Sequence, residues 1–286
     1  MAQEKKVGLV LEGGAMRGMF TAGVLDVWLE NDVLVDGVVG VSAGAAFGCN
    51  YKSKQIGRTI RYNTKYCRDK RFCSLRSLLR TGNLFGTDFC YRELPQVLDP
   101  FDTETFRNNP IPFYVVCTDV ETGQPVYRRI DSGDGEDLSW IRASASLPFV
   151  SRPVWIDDRL FLDGGMADSI PLRFFEDMDF GKNVVVLTRP LSYTKKPARF
   201  GWLVRLLLWR YPRMADAILE RHILYNETAA YISLREKQGA VFVIRPETDL
   251  CLRRMERDPE KLWTAYREGR RIAEKQLPAL REFLEK

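Results

Sequence analysis

Gly40-Val41-Ser42-Ala43-Gly44 is a G-x-S-x-G pentapeptide, set directly after an apolar run and before small residues that open a helix. A serine in that context sits on a sharp strand-to-helix turn with its hydroxyl exposed as a nucleophile. Gly40 and Gly44 let the backbone turn without Cβ clashes. The helix that follows puts positive potential beneath a developing oxyanion. A tight turn without chemistry is the competing interpretation.

Gly13-Gly14-Ala15-Met16-Arg17-Gly18 also joins a strand to a helix. A P-loop needs Lys and Ser/Thr after its last glycine, and here Met19 and Phe20 follow Gly18. A dinucleotide loop needs G-x-G-x-x-G, and Ala15 occupies the second glycine position. An oxyanion hole is the third option, with closely spaced backbone N–H groups meeting a tetrahedral intermediate. Arg17 would then anchor the loop or add positive charge. A helix N-terminus that packs tightly and binds nothing is the fourth.

A serine nucleophile needs a base. Ser42, Asp163 and His222 follow the chain order of an α/β-hydrolase triad. Against that order, the stretch before Ser42 is too short for the strands that fold sets ahead of its elbow. His222 also falls in the helical seam Ala215-Ile218-His222-Tyr225-Ala229, where a structural histidine is expected. Asp163-Gly164-Gly165 ends a short strand and would present the carboxylate at the mouth of a sheet. Taken alone it reads equally as a strand-end turn.

The elements that must position these residues follow from periodicity. Val7 to Leu11 and Val38 to Val41 read as buried strands, and Gly18 to Glu30 as a helix with Phe20, Val24, Leu25 and Trp28 inward. That βαβα start predicts parallel strands. Further strands are expected at 113–118, 125–130, 160–162, 183–188 and 240–244. Helices are expected at 137–146, in a first turn at Pro171, and at 213–237 and 259–285. The Pro- and Lys-bearing stretch 190–198 is the expected boundary.

Four blocks together resemble the patatin-like phospholipase family: Glu12 to Gly18, Gly40 to Gly44, Ala143-Ser144-Ala145-Ser146-Leu147-Pro148, and Asp163-Gly164-Gly165. The resemblance covers about residues 7–190 and is closest to the bacterial branch with a short C-terminal extension. That extension would include Ile244-Arg245-Pro246 and Asp258-Pro259-Glu260-Lys261-Leu262. It implies an α/β fold, a three-layer α/β/α domain with a mostly parallel central sheet at 5–190. A basic and apolar connector with a mainly helical extension would occupy 191–286.

The resemblance further implies a lipid acyl hydrolase working through a Ser-Asp dyad, with Ser42 as nucleophile and Asp163 as base. Backbone N–H groups of Gly13, Gly14 and Ala15 would form the oxyanion hole. Arg17, Gly18, Gly40, Gly44, Gly164 and Gly165 would support it, with no metal and no cofactor. An acyltransferase on a related fold and a catalytically silent membrane-surface binder are the alternatives. Two positions depart from the family pattern. Ala15 stands where a third glycine is common, and Ser169 where asparagine is common six residues after the aspartate.

Composition narrows the classes. The chain has 286 residues and a single histidine, which excludes a His-rich metal site, and its six cysteines show no CxxC pairing. No run is long and apolar enough to span a bilayer. The sequence predicts a cytoplasmic protein, peripheral at the inner membrane surface, with an acyl lipid as substrate and no nucleic acid partner. Net charge is +5, unevenly placed. Residues 51–87 hold ten Lys/Arg against Asp69 alone, and residues 180–215 hold eight and no acid. Such segregation favours an anionic partner, here an anionic membrane surface. The segment Phe200 to Tyr211, with Trp202 and Trp209, reads either as a buried helix or as an amphipathic docking element.

Overall fold

The structure is a computed structural model and describes residues 6–285. In chain order, β1 (Val7–Leu11) leads through the glycine loop into α1 (Gly18–Glu30). β2 (Gly37–Val41), α2 (Ala43–Lys52), α3 (Arg58–Tyr66) and α4 (Leu75–Thr81) follow, then a π-type helix at Phe89–Leu98 and α5 (Thr103–Asn108). Next come β3 (Phe113–Asp119), β4 (Pro125–Ile130), α6 (Gly135–Ser144), β5 (Val154–Ile156), β6 (Arg159–Asp163) and α7 (Leu172–Asp177). β7 (Lys182–Val186), α8 (Gly201–Leu207), α9 (Pro212–Lys237), β8 (Val241–Ile244) and α10 (Pro259–Glu285) complete the chain.

The eight strands form one sheet in the order β5-β6-β3-β2-β1-β7-β8, with β4 also paired to β3. Strands β3, β2, β1, β7 and β8 run parallel, while β4, β5 and β6 form an antiparallel flank. Parallel strands covered on both faces need apolar residues at every position, which VGLVL and VVGV supply.

Strand side chains alternate between two cores. Leu9, Leu11, Val38, Phe113, Val115, Val184 and Val186 face α1, α6 and α10. Val10, Val39, Val41, Val116, Val185 and Val243 face α7 and α9. The result is the expected three layers. Residues 191–285 are built into them. β8 pairs with β7, and α10 lies over α1, tied by Tyr266 Oη donating to Asp26 Oδ2 at 2.7 Å. Helices α3, α4 and the π-type helix share a separate apolar cluster with one side of α1 and the start of α10.

α8 is not the buried helix that was one alternative for 200–211. Val204 is its buried side chain, while Trp202, Leu206, Leu207 and Trp209 face outward. No helix among the described residues is long and apolar enough to cross a membrane.

Candidate active site

Strand register brings the serine and the aspartate level with each other. Val41 pairs with Val116, so Ser42 comes level with Cys117, and Cys117 pairs with Asp163 across β3. Ser42 stands between β2 and α2 with φ 54° and ψ −117°, a conformation that non-glycine residues rarely hold. The turn is possible because α2 approaches β2 closely. A Cβ on Gly40 would lie 2.6 Å from the Gly44 carbonyl, and one on Gly44 would lie 2.4 Å from Leu11 O.

Ser42 Oγ donates to Asp163 Oδ2 at 2.6 Å. The other carboxylate oxygen, Oδ1, accepts from the Gly165 N–H at 2.8 Å, which fixes the plane of the carboxylate. Thr118 Oγ1 donates to Asp163 O, and Asp163 N donates to Ser146 O, so the backbone is held on both sides. Asp163 is 1% exposed. Burial pushes its carboxyl above the usual carboxylate range, against the opposing charge of Arg221 and the bonds from Ser42 and Gly165.

The glycine loop passes directly beside the serine. A Cβ on Gly13 would lie 3.1 Å from Ser42 Cβ. The loop's shape is fixed by Glu12, a buried carboxylate whose Oε2 accepts from Thr188 N and Oγ1 and whose Oε1 accepts from Tyr225 Oη. Gly13 and Gly14 N–H groups donate to no carbonyl or side chain among the described residues. Ala15 holds φ 49°, where an added methyl costs about 1 kcal/mol. The side chain lines the adjoining slot. Gly18 begins α1, packed against Phe47 and Ala43. Arg17 Nε is buried without a hydrogen-bond partner.

The second departure from the family pattern also has a local answer. Ser169 Oγ donates to Gly165 O at 2.8 Å and closes the turn after Gly164 that asparagine would otherwise support. Ser144, quoted only as part of a motif, has a defined task. Its Oγ accepts from Ser42 N at 2.8 Å and donates to Val116 O at 2.6 Å, so it pins the elbow to β3. Glu12, Ser144 and Arg221 were each invisible as site residues in the sequence. Their partners lie between 28 and 213 positions away for Ser144 and Glu12.

His222 is in neither set of bonds. Its Nδ1 lies 2.8 Å from Leu219 O on its own helix, and the ring lines a separate cavity with Arg221. Beside Ser42 an apolar slot of about 140 Å³ opens, walled by Met16, Phe47, Tyr62, Phe72, Phe85 and Leu147. It has the chemistry of a site for a hydrocarbon chain.

Comparison with known proteins gives the family of the chain. The patatin-like phospholipase family matches residues 9–175, more than half of the chain, and a domain of unknown function (DUF6363) matches residues 211–285. Protein YjjU of Escherichia coli (strain K12) is 28% identical over 261 residues, covering 87% of this chain and 70% of YjjU. Neuropathy target esterase sws of Drosophila melanogaster is 29% identical over 168 residues, covering 58% of this chain and 12% of the esterase. Among solved structures, VipD from Legionella pneumophila superposes with a TM-score of 0.49 at 14% identity, over 97% of this chain and 67% of VipD. Since the matched span runs from the first strand through both strand-to-helix turns to the helix after the aspartate, the chain belongs to the patatin-like phospholipase family.

Proposed function

We propose that this member of a lipid acyl hydrolase family cleaves carboxylic esters of acyl lipids, with Ser42 as nucleophile and Asp163 as base. The observation that carries it is the 2.6 Å bond from Ser42 Oγ to a buried carboxylate, at the mouth of an apolar slot.

In the first half-reaction Ser42 Oγ attacks the ester carbonyl carbon as its proton passes to Asp163 Oδ2. The oxyanion faces the N–H groups of Gly13, Gly14 and Ala15. Collapse breaks the ester C–O bond, the leaving alkoxide takes the proton from Asp163, and an acyl-serine remains. Water then attacks that ester, giving its proton to Asp163. The second collapse releases the fatty acid and returns the proton to Ser42. A carboxylate of ordinary pKa, about 4, is a weak base for a hydroxyl, and burial raises the basicity of Asp163. Labelling by an active-site-directed fluorophosphonate tests the nucleophile. Product analysis with and without an acceptor alcohol separates hydrolysis from acyl transfer.

Two results are expected. Because protonated Asp163 cannot accept the serine proton, kcat/KM should fall on the acid side through one ionisation lying above about 4. A profile that stays flat down to pH 4 would remove the base role from Asp163. His222→Gln should leave kcat within a few-fold in an ester assay, since His222 bonds to neither Ser42 nor Asp163. A loss on the order of 10³ would restore a Ser-Asp-His triad.

The proposed catalytic residues fall within the expected domain 5–190, and β8 and α10 beyond it complete the sheet and the helical layers. The outward apolar face of α8 and the cations around it support transient contact with an anionic membrane surface. That contact would bring ester bonds of bilayer lipids to Ser42.

A further inference from the structure

The chain beyond β7 places more cations beside the dyad than the carboxylates there can neutralise. Arg221 reaches from α9 to the turn after Asp163. A Cβ on Gly165 would lie 3.0 Å from Arg221 Nη2 and 3.0 Å from Asp163 Oδ1. Arg221 Nε is buried and has no hydrogen-bond partner. Arg221, Arg254, Lys195 and Lys196 all line one cavity of about 460 Å³. Among the described residues none of the four forms an ion pair, whereas Arg189, Arg205 and Arg235 in the same part of the sequence each do. Leu147 lines both this cavity and the apolar slot at Ser42, so the two adjoin.

The charges around the cavity do not cancel. Arg17, Arg189, Lys195, Arg221 and Arg254 lie within electrostatic reach of one another or of the aspartate, against Glu12 and Asp163. Glu12 is occupied by Thr188 and Tyr225, Asp163 by Ser42 and Gly165, and Arg189 by Asp249. Burial, followed by repulsion from Arg221, pushes the Lys195 ammonium down to about 7. Asp163 opposes the charge of Arg221, but its oxygens are bonded to Ser42 and Gly165, so Arg221 Nε stays buried and unpaired and the surplus positive charge favours a bound anion. Guanidinium forks beside ammonium groups match a phosphate, which offers several acceptor oxygens in a tetrahedral array. A carboxylate product, by contrast, would form at Ser42 itself.

We propose that Arg221, Arg254, Lys195 and Lys196 form a phosphate-binding pocket that completes the active site, holding the phosphate group of an acyl substrate while its chain fills the slot at Ser42. The substrate role rests on the hydrolase reading above, and the binding of phosphate does not. It gives the region matching a domain of unknown function a specific task, because Arg221 and Arg254 both lie within residues 211–285.

Two measurements test it. The first titrates inorganic phosphate into Ser42→Ala protein by calorimetry. Binding is expected at roughly millimolar affinity, weakened at least tenfold by adding Arg254→Gln, whose exposed side chain makes misfolding no concern. The second compares kcat/KM for 1-palmitoyl-lysophosphatidylglycerol and 1-monopalmitoylglycerol, which share the acyl ester and differ in the phosphate. The wild-type ratio should exceed ten, and Arg221→Gln and Arg254→Gln should each lower it about tenfold through KM. Phosphate binding lost with the ratio unchanged would uphold the anion pocket but overturn its assignment to the substrate headgroup. No phosphate binding, together with a ratio indifferent to both arginines, would overturn the proposal. If the folded wild type hydrolyses neither lipid nor any simple ester, the hydrolase reading fails, and the calorimetry still decides the pocket.

Discussion

Ser42→Ala and Asp163→Asn should each lower hydrolysis of a p-nitrophenyl acyl ester by about 10⁴-fold or more, and the double variant should lose little beyond either. The two groups share one proton through a 2.6 Å bond, so removing either disables the same step. A contribution from the oxyanion loop and the slot would persist as a small residual rate. The stability effects should run the other way for the aspartate. Its folded-state pKa is raised by burial, so the folded protein holds the proton more tightly than the unfolded chain. The sign follows from linkage: stability is fully present below the unfolded pKa and is lost as pH rises toward the folded pKa. At neutral pH the charge on Asp163 is therefore destabilising. Asp163→Asn should raise Tm at pH 7 while abolishing turnover, with the difference shrinking as pH falls. A folded Asp163→Asn protein that keeps activity within tenfold of wild type would sink the dyad. An equal or lower Tm would count against the electrostatic account of the aspartate.

Ser42 and Asp163 were legible as a candidate pair because glycines flank both, and glycines are where backbones must come close. Gly40 and Gly44 mark the approach of α2 to β2, so the pentapeptide carries its geometry in its own residues. The parallel half of the sheet was legible for a similar reason, since buried parallel strands leave unbroken runs of Val and Leu. The region 58–108 was not. Its helices are short and carry much charge, and one contains Pro95, so no long apolar period announces them. Local signals were present: Ser74 caps α4 by accepting from Ser77 N, Gly82 ends it at φ 78°, and Asp102 caps α5. β5, only Val154 to Ile156, is too short to show alternation.

Arg221 shows a different limit. It precedes His222 in the helical seam, and periodicity ranks such neighbours by apolar facing, not by what lies across from them. Only the folding of α9 over the aspartate turn brings it beside Asp163. The basic stretch 51–87 illustrates the converse. Lys52 and Arg58 are buried, with Lys52 Nζ 4.3 Å from the Phe106 ring centroid. Arg61 pairs with Asp99, and Arg71 with Asp69 and Glu93. Charge that looks segregated in sequence is thus partly neutralised in space, and this stretch is a weaker membrane candidate than its composition suggests.

Vesicle binding should depend on α8. Trp202, Leu206 and Trp209 are 68%, 60% and 74% exposed, with Phe200 and Leu207 beside them. Apolar side chains this exposed gain free energy at the headgroup boundary, where tryptophan is favoured. Arg199, Arg210 and Lys196 form no ion pair among the described residues, while Arg205 is held by Asp216 at 2.9 Å. Each free cation near an anionic surface adds roughly 1 kcal/mol, screened by salt. Wild type should sediment with vesicles of phosphatidylglycerol and phosphatidylcholine, release as salt rises, and bind phosphatidylcholine alone weakly. Replacing Trp202, Leu206 and Trp209 by Ser should weaken binding by about 10²-fold or more, even if each side chain gives only half of the ~2 kcal/mol that full burial yields. The variant should keep its circular dichroism and melt within a few degrees of wild type, because the substituted side chains face outward and Val204 still seats the helix. Unfolding of the variant would mean that these side chains are core. Undiminished binding in a folded variant would move docking off α8. Equal binding to both vesicle types would leave apolar insertion standing and remove the role assigned to charge.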